Sequence, residues 1–177
     1  MLTATDKKEL QTLRELGEAL NYIGIISYEP SLVSYFCTPQ NAFIFARLGV
    51  DGIHFCLLPD SNDSTLTTSK VCVVSPENSE HYVEVLADSI TEFLSLVYSV
   101  KNAGALECIS YMTKAEFEKY VNEIEVEEEE SEALNLLLKK FNITLIEDPY
   151  EYVKNKQINF DKDKIEYTDE YYEVTSE

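Results

Sequence analysis

Two apolar runs on either side of Gly49-Val50-Asp51-Gly52 set the strongest constraint on how this chain folds: "NAFIFARLGVDGIHFCLL" reads as strand, tight turn, strand. Asp-Gly between strand-like segments marks a β-hairpin, because the turn needs positive φ, which glycine adopts without steric cost. In "FIFA" and "IHFCLL" apolar residues occupy both pleat faces. Such strands need cover on both sides, or helices on one face and a closing loop on the other.

The rest of the pattern supplies that cover. Strands are expected over 32–36, 43–48, 53–58 and 71–74, with the small, polar segment 60–69 as a loop. Leu13, Leu16, Leu20 and Ile23 form one stripe of an amphipathic helix over 6–21, with Asp6 and Glu9 as a weak N-terminal cap. Ser89-Ile-Thr-Glu92 and Thr113-Lys-Ala-Glu116 are capping boxes, each followed by a helical stripe. A third stripe, Leu134, Leu137, Leu138 and Phe141, has acidic residues before it and Lys139 and Lys140 at its end, the polarity a helix dipole favours. His81 is expected in a surface loop, "SPENSEHYVEV". Residues 1–148 thus carry the strand and helix signals, and 149–177 read as an acidic, tyrosine-rich extension, an extended tail or a small hairpin.

With 177 residues, 45% of them hydrophobic, the chain has the material for one substantial core. It holds no apolar run of membrane-spanning length and no basic-then-apolar leader, so a cytosolic protein is expected. The four cysteines, at 37, 56, 72 and 108, form no Cys-x-x-Cys pair and read as buried free thiols. No zinc-like cluster of Cys and His is present, and no metal or cofactor is expected. A net charge of −19 argues against nucleic acid and anionic membrane as partners. It suits a basic protein partner, which the field would steer in.

His54 and Cys56 are two residues apart on one strand and share a face, so a thiolate nucleophile is a conceivable use of them. Such a site also needs an orienting group and an oxyanion loop. The surrounding sequence offers neither, and a packed or hydrogen-bonded histidine is the expectation.

Three separate pieces carry a family resemblance. The first is Thr38-Pro39-x-Asn41, then Phe45-Ala46, Gly49, Asp51-Gly52 and His54-Phe55. The second is Val71, Val74-Ser75-Pro76, and the third Glu92-Phe93-Leu94. In order and spacing they resemble the SUKH superfamily, which joins yeast cell-wall regulators and bacterial relatives. The match covers residues 38–108 and departs from the pattern at Val50, where the family has a second glycine. The resemblance implies a single α+β domain, a mostly antiparallel sheet with helices packed on it. It also implies that the chain is a non-catalytic immunity protein, which binds and neutralises a toxin domain, often a nuclease. The alternative is a regulatory or scaffold module for an endogenous cytosolic protein, as with the yeast relatives.

"EIEVEEEE", residues 123–130, holds Glu123, Glu125, Glu127, Glu128, Glu129 and Glu130. These carboxylates, with Tyr120 as an aromatic anchor, are the expected partner-binding residues, since a nuclease presents lysine and arginine to phosphate. The bland reading is a solvated helix start or a repelling linker. The Asp-rich spacing of a calcium loop is absent. The oligomeric state is left open.

Overall fold

A computed structural model describes residues 2–27, 33–59 and 68–176. Strands β1 (Phe43–Arg47), β2 (His54–Leu58), β3 (Lys70–Val74) and β4 (Val83–Ala87) form an antiparallel meander in the order β1-β2-β3-β4. The helices are α1 (Ala4–Leu16), α2 (Ile90–Val100), α3 (Ala103–Cys108), α4 (Lys114–Glu123), α5 (Glu128–Lys140), α6 (Pro149–Asn159) and α7 (Asp169–Thr175). Among the described residues no helix is long and apolar enough to cross a membrane. The protein is a single α+β domain.

Alternation along β2 divides the apolar residues between two cores. Phe55 and Leu57 point to one face, with Val71 and Val73 of β3, and meet Ile90, Phe93, Leu94 and Val97 of α2. The Phe93 ring lies 4.9 Å from Phe55 and 5.8 Å, edge-on, from Phe45. Leu13, Leu20, Ile23, Leu134 and Leu137 close this core. Each such side chain, fully buried, stabilises the fold by about 1.5–3 kcal/mol. The opposite face carries Cys56, Cys72, Val74, Val83 and Val85. Cys37 and Ile165 cover it, flanked by Phe36, Phe160, Tyr167 and Tyr171. The sheet is therefore helix-covered on one side and closed by irregular chain and C-terminal residues on the other.

Several expectations need correction. Residues 33–36 form no strand; a turn, with Thr38 N–H donating to Tyr35 O at 2.9 Å, swings Phe36 and Cys37 onto the second face. Residue 32 and most of the expected loop, 60–67, lie outside the described residues. β4 begins at Val83, within the segment expected as a surface loop, and all five of its residues are buried. The first helix starts earlier and ends earlier than expected. Thr3 is its cap, and Asp6 completes the capping box from inside the helix. Gly17, at φ 55°, ends the α-helix, and a 3₁₀ turn carries the stripe on to Ile23. Asp6 is fully buried and accepts from Ser69 N–H at 3.1 Å and Ser69 O–H at 2.8 Å. Burial pushes its carboxyl pKa up, but these bonds and those from Thr3 outweigh burial and hold it low.

The Thr113–Glu116 capping box forms as expected. At α2 the reciprocity shifts by one residue. Ser89 Oγ accepts from Glu92 N–H at 3.1 Å, but the Glu92 carboxylate accepts from the Asp88 amide and the Tyr152 hydroxyl. Farther along α2, Ser95 Oγ accepts from Thr144 N–H at 3.2 Å and Ser99 Oγ from Ile146 N–H at 2.9 Å. Four helical residues rise about 6 Å, and two extended residues about 6.6 Å. That match lets the α5–α6 connection lie along the helix.

Residues beyond 148 are not the extended tail or hairpin expected from their weak periodicity. Asp148 caps α6, accepting from Glu151 N–H at 3.1 Å, and Val153 sits in the principal core. Lys156 pairs with Asp88 and Glu92, and Lys162 with Glu84. Gln40 N–H donates to Glu166 O at 2.8 Å, which ties the segment before α7 to the approach to β1. Val153→Ala should cost about 1.5–3 kcal/mol in urea denaturation. Ile158→Ala, on the same helix but 78% exposed, should stay within about 0.5 kcal/mol.

Candidate functional site

The β1–β2 hairpin explains both its glycines and its histidine. Gly49, Asp51 and Gly52 take positive φ, at 98°, 49° and 68°, and Val50 does not. The turn thus avoids placing a β-branched residue in the left-handed region; Asp51 takes that conformation instead. Gly52 is required twice over, because a Cβ there would stand 2.6 Å from the Tyr35 ring.

His54 is 2% exposed and stacks on Tyr35 at 5.6 Å. Nδ1 is 2.8 Å from Gly52 O, which only accepts, so Nδ1 carries the proton. Nε2 therefore accepts from the Thr38 hydroxyl at 3.1 Å, and Thr38 Oγ1 in turn accepts from Tyr35 N–H at 2.8 Å. Thr38, Gly52 and His54 form one closed polar network. Burial lowers the His54 pKa, and the Gly52 carbonyl opposes that only in part.

Cys56 gains nothing from this histidine, whose two nitrogens are both engaged. It lies opposite Cys72 in the ladder, with Cys37 in the same core, and all three are buried. The neighbouring Cys72 thiol, then burial, raises the Cys56 pKa well above its ordinary value. The Cys37 thiol is pushed up to about 11, chiefly by burial. These are poor conditions for a thiolate. Among the described residues no group of His, Cys, Asp and Glu is placed to hold a metal ion.

The acidic run forms the corner between α4 and α5. Phe117 anchors α4, and Ala133, Leu134 and Leu137 anchor α5. Glu123 ends α4, 3.9 Å from Lys119, in an exposed pair worth little. Lys101 Nζ donates to Ile124 O at 3.1 Å and pins the link between the helices. Glu130 accepts from Glu127 N–H at 2.8 Å, which commits that carboxylate to capping α5. Glu128 and Glu129 occupy the first turn, where the helix dipole favours them. Glu125, Glu127, Glu128 and Glu129 are exposed and have no cation within ion-pair distance among the described residues. Tyr120 is 39% exposed on α4, one turn before Glu123. Burial, then the Cys108 side chain, raises its pKa. Tyr120 thus lies on the helix that leads into the run. Part of the run serves the helix start; the remainder faces solvent.

Carboxylates also converge at a second place, between the hairpin tip, the β3–β4 connection and the end of α3. Asp51, Glu77, Glu80 and Glu107 line a concavity there with Tyr111. Sequence reasoning missed it because these residues are spread over some sixty positions. The only local signal was Asp51 in the hairpin turn.

The unfolded chain protonates His54 near pH 6.5, whereas the folded chain resists. Stability should therefore fall as pH drops from 7.5 to 5.5, by at most about 1.4 kcal/mol per unit. His54→Gln should flatten that slope in urea titrations at each pH. In the native protein at pH 8, Cys56 should alkylate at least about 100-fold more slowly than in urea, read by mass mapping of the modified thiol.

Comparison of the chain with protein-family models, with curated proteins and with solved structures finds no match, so function is read from the side chains themselves.

Proposed function

We propose that this chain is an immunity protein of the SUKH type, which acts by binding a basic toxin domain and performs no catalysis of its own. The observation that carries the reading is the α4–α5 corner, where Glu125, Glu127, Glu128 and Glu129 stand exposed with no cation within ion-pair distance among the described residues. A nuclease gathers lysine and arginine at its phosphate-binding surface. An acidic inhibitor competes for that surface and is steered to it by the long-range field of a chain at −19.

The hairpin supports the same reading from another side. Gly52, His54, Phe45 and Phe55 of the hairpin, with Thr38 before it and Phe93 of α2, are engaged in holding the fold. None of them presents a nucleophile or a free base to a cleft. A binding role then falls to the surface, where the acidic corner gathers six glutamates within residues 123–130. A stable interface buries about 1,600 Å² in all, so the corner is one part of the contact, with Tyr120 as a rigid anchor.

The test is a growth assay. A toxin domain encoded beside this gene is expressed in a sensitive host, with and without this protein. Rescue is expected, and changing Glu127, Glu128, Glu129 and Glu130 to serine should weaken binding by about tenfold or more. Absence of rescue with both proteins folded would overturn the immunity reading. Full rescue by the serine variant would keep immunity and remove the corner from the interface.

A further inference from the structure

Beside the hairpin turn lies a pocket of about 160 Å³, in which Arg47 stands opposite His54 in the ladder. Val33, Ile44, Val50 and Ile53 make its lining largely apolar, and Tyr35 adds an aromatic ring. Arg47 is half-buried, and its Nε is cut off from water with no acceptor beside it. No carboxylate lies within ion-pair distance of its guanidinium among the described residues. Asp51 lines the same pocket from the exposed turn without pairing with it. His54 cannot serve it either, since both ring nitrogens are engaged. A guanidinium partly stripped of water and left without a counter-charge is a costly arrangement. In a chain with 33 acidic residues it is also an unexpected one.

We propose that this pocket binds a small monocarboxylate with an apolar body. The planar guanidinium matches both oxygens of a carboxylate, and the aliphatic lining receives the hydrocarbon. Drug-sized sites begin at about 300 Å³, so this smaller pocket limits the body to a few carbons. Charge limits the ligand further. A chain at −19 repels anions in general, and Asp51 adds a local repulsion, so a phosphate dianion is opposed twice. Its oxygens also gain nothing from apolar walls. A cation is refused by Arg47, and a neutral amide leaves the guanidinium without a counter-charge. The pocket shares no residue with the α4–α5 corner, and the inference does not rest on the immunity reading.

The full chain is titrated with isovalerate and with isovaleramide, which keeps the shape and loses the charge, and amide shifts are followed by two-dimensional NMR. At about 150 mM salt, distant charges are largely screened. Isovalerate should shift the amides of residues 47–54 with a Kd of about 1 mM. Isovaleramide should bind at least about tenfold more weakly. Arg47→Gln should weaken isovalerate binding by about tenfold, and Arg47→Lys, which keeps the charge without the fork, by about threefold. Asp51→Asn should tighten it by about twofold, since asparagine tolerates the left-handed turn conformation. Arg14→Gln changes an exposed arginine of α1, which does not border the pocket, and should leave affinity within about twofold. Equal affinity for acid and amide would overturn the proposal. So would wild-type affinity in Arg47→Gln, displacement of isovalerate by equimolar inorganic phosphate, or no shift at roughly ten times the expected Kd. Arg47 joins the fold through backbone bonds with Ile26, at 2.9 and 3.0 Å, which a side-chain change spares. If circular dichroism nonetheless shows Arg47→Gln unfolded, Arg47→Lys and Asp51→Asn decide, and wild-type affinity in both would overturn the proposal. The titration needs no toxin, so it can fail while immunity stands, and the growth assay can fail while the pocket binds the acid.

Discussion

β2 is apolar on both of its faces, and the rest of the chain is arranged to keep both from water. Phe55 and Leu57 have to meet helices, and Cys56 has to meet something else. The first demand places Phe93 of α2 against Phe55, and α1 and α5 pack behind. The second is met late in the chain by Ile165, Tyr167 and Tyr171, and early by Phe36 and Cys37. Tyr167 and Tyr171 stack at 3.8 Å over that face. Removing water from both faces is the dominant favourable term available to such a sheet.

Cations are scarce in a chain at −19, and the structure concentrates several of them on its own seams. Lys70 and Lys156 converge on Asp88, and Lys162 reaches the buried Glu84. Lys114 bridges the start of α4 to Asp148 at 2.5 Å, at the start of α6. Burial raises the Asp88 pKa, but Lys156 and Lys70 outweigh it and hold the carboxyl low. Lysines committed to docking the C-terminal helices are not available to neutralise the α4–α5 corner or the Glu107 cavity. The same shortage thus ties the C-terminal segment to the sheet and leaves two acidic surfaces facing outward.

Where local chemistry acts alone, the sequence was readable. The Asp-Gly turn, the strands around it, the Thr113–Glu116 capping box and the polarity of α5 all appear where their residues say they should. The errors have physical causes. β4 was hidden because "YVEVLA" follows a charged turn and is too short to show a period. α6 was hidden because Val153 is its single fully buried residue, so it shows no apolar stripe. Gly17 ended α1 by a conformation that no hydrophobic pattern records. The candidate corner was legible because its charges are consecutive. The cavity was not, because Asp51, Glu80, Glu107 and Tyr111 become neighbours only when the hairpin tip, the β3–β4 connection and α3 meet.

The sequence by itself determined the hairpin, the need to cover both of its faces, the helical character of residues 90–140 and the acidity of residues 123–130. These follow from backbone preference, side-chain period and charge, which act over a few residues. Tertiary structure decided which segment covers the second sheet face, which proton His54 holds and which carboxylates lack a cation. Those depend on groups far apart in the chain, Thr38 with His54, Glu92 with Tyr152 and Asp88 with Lys156, whose distances only the packed fold sets.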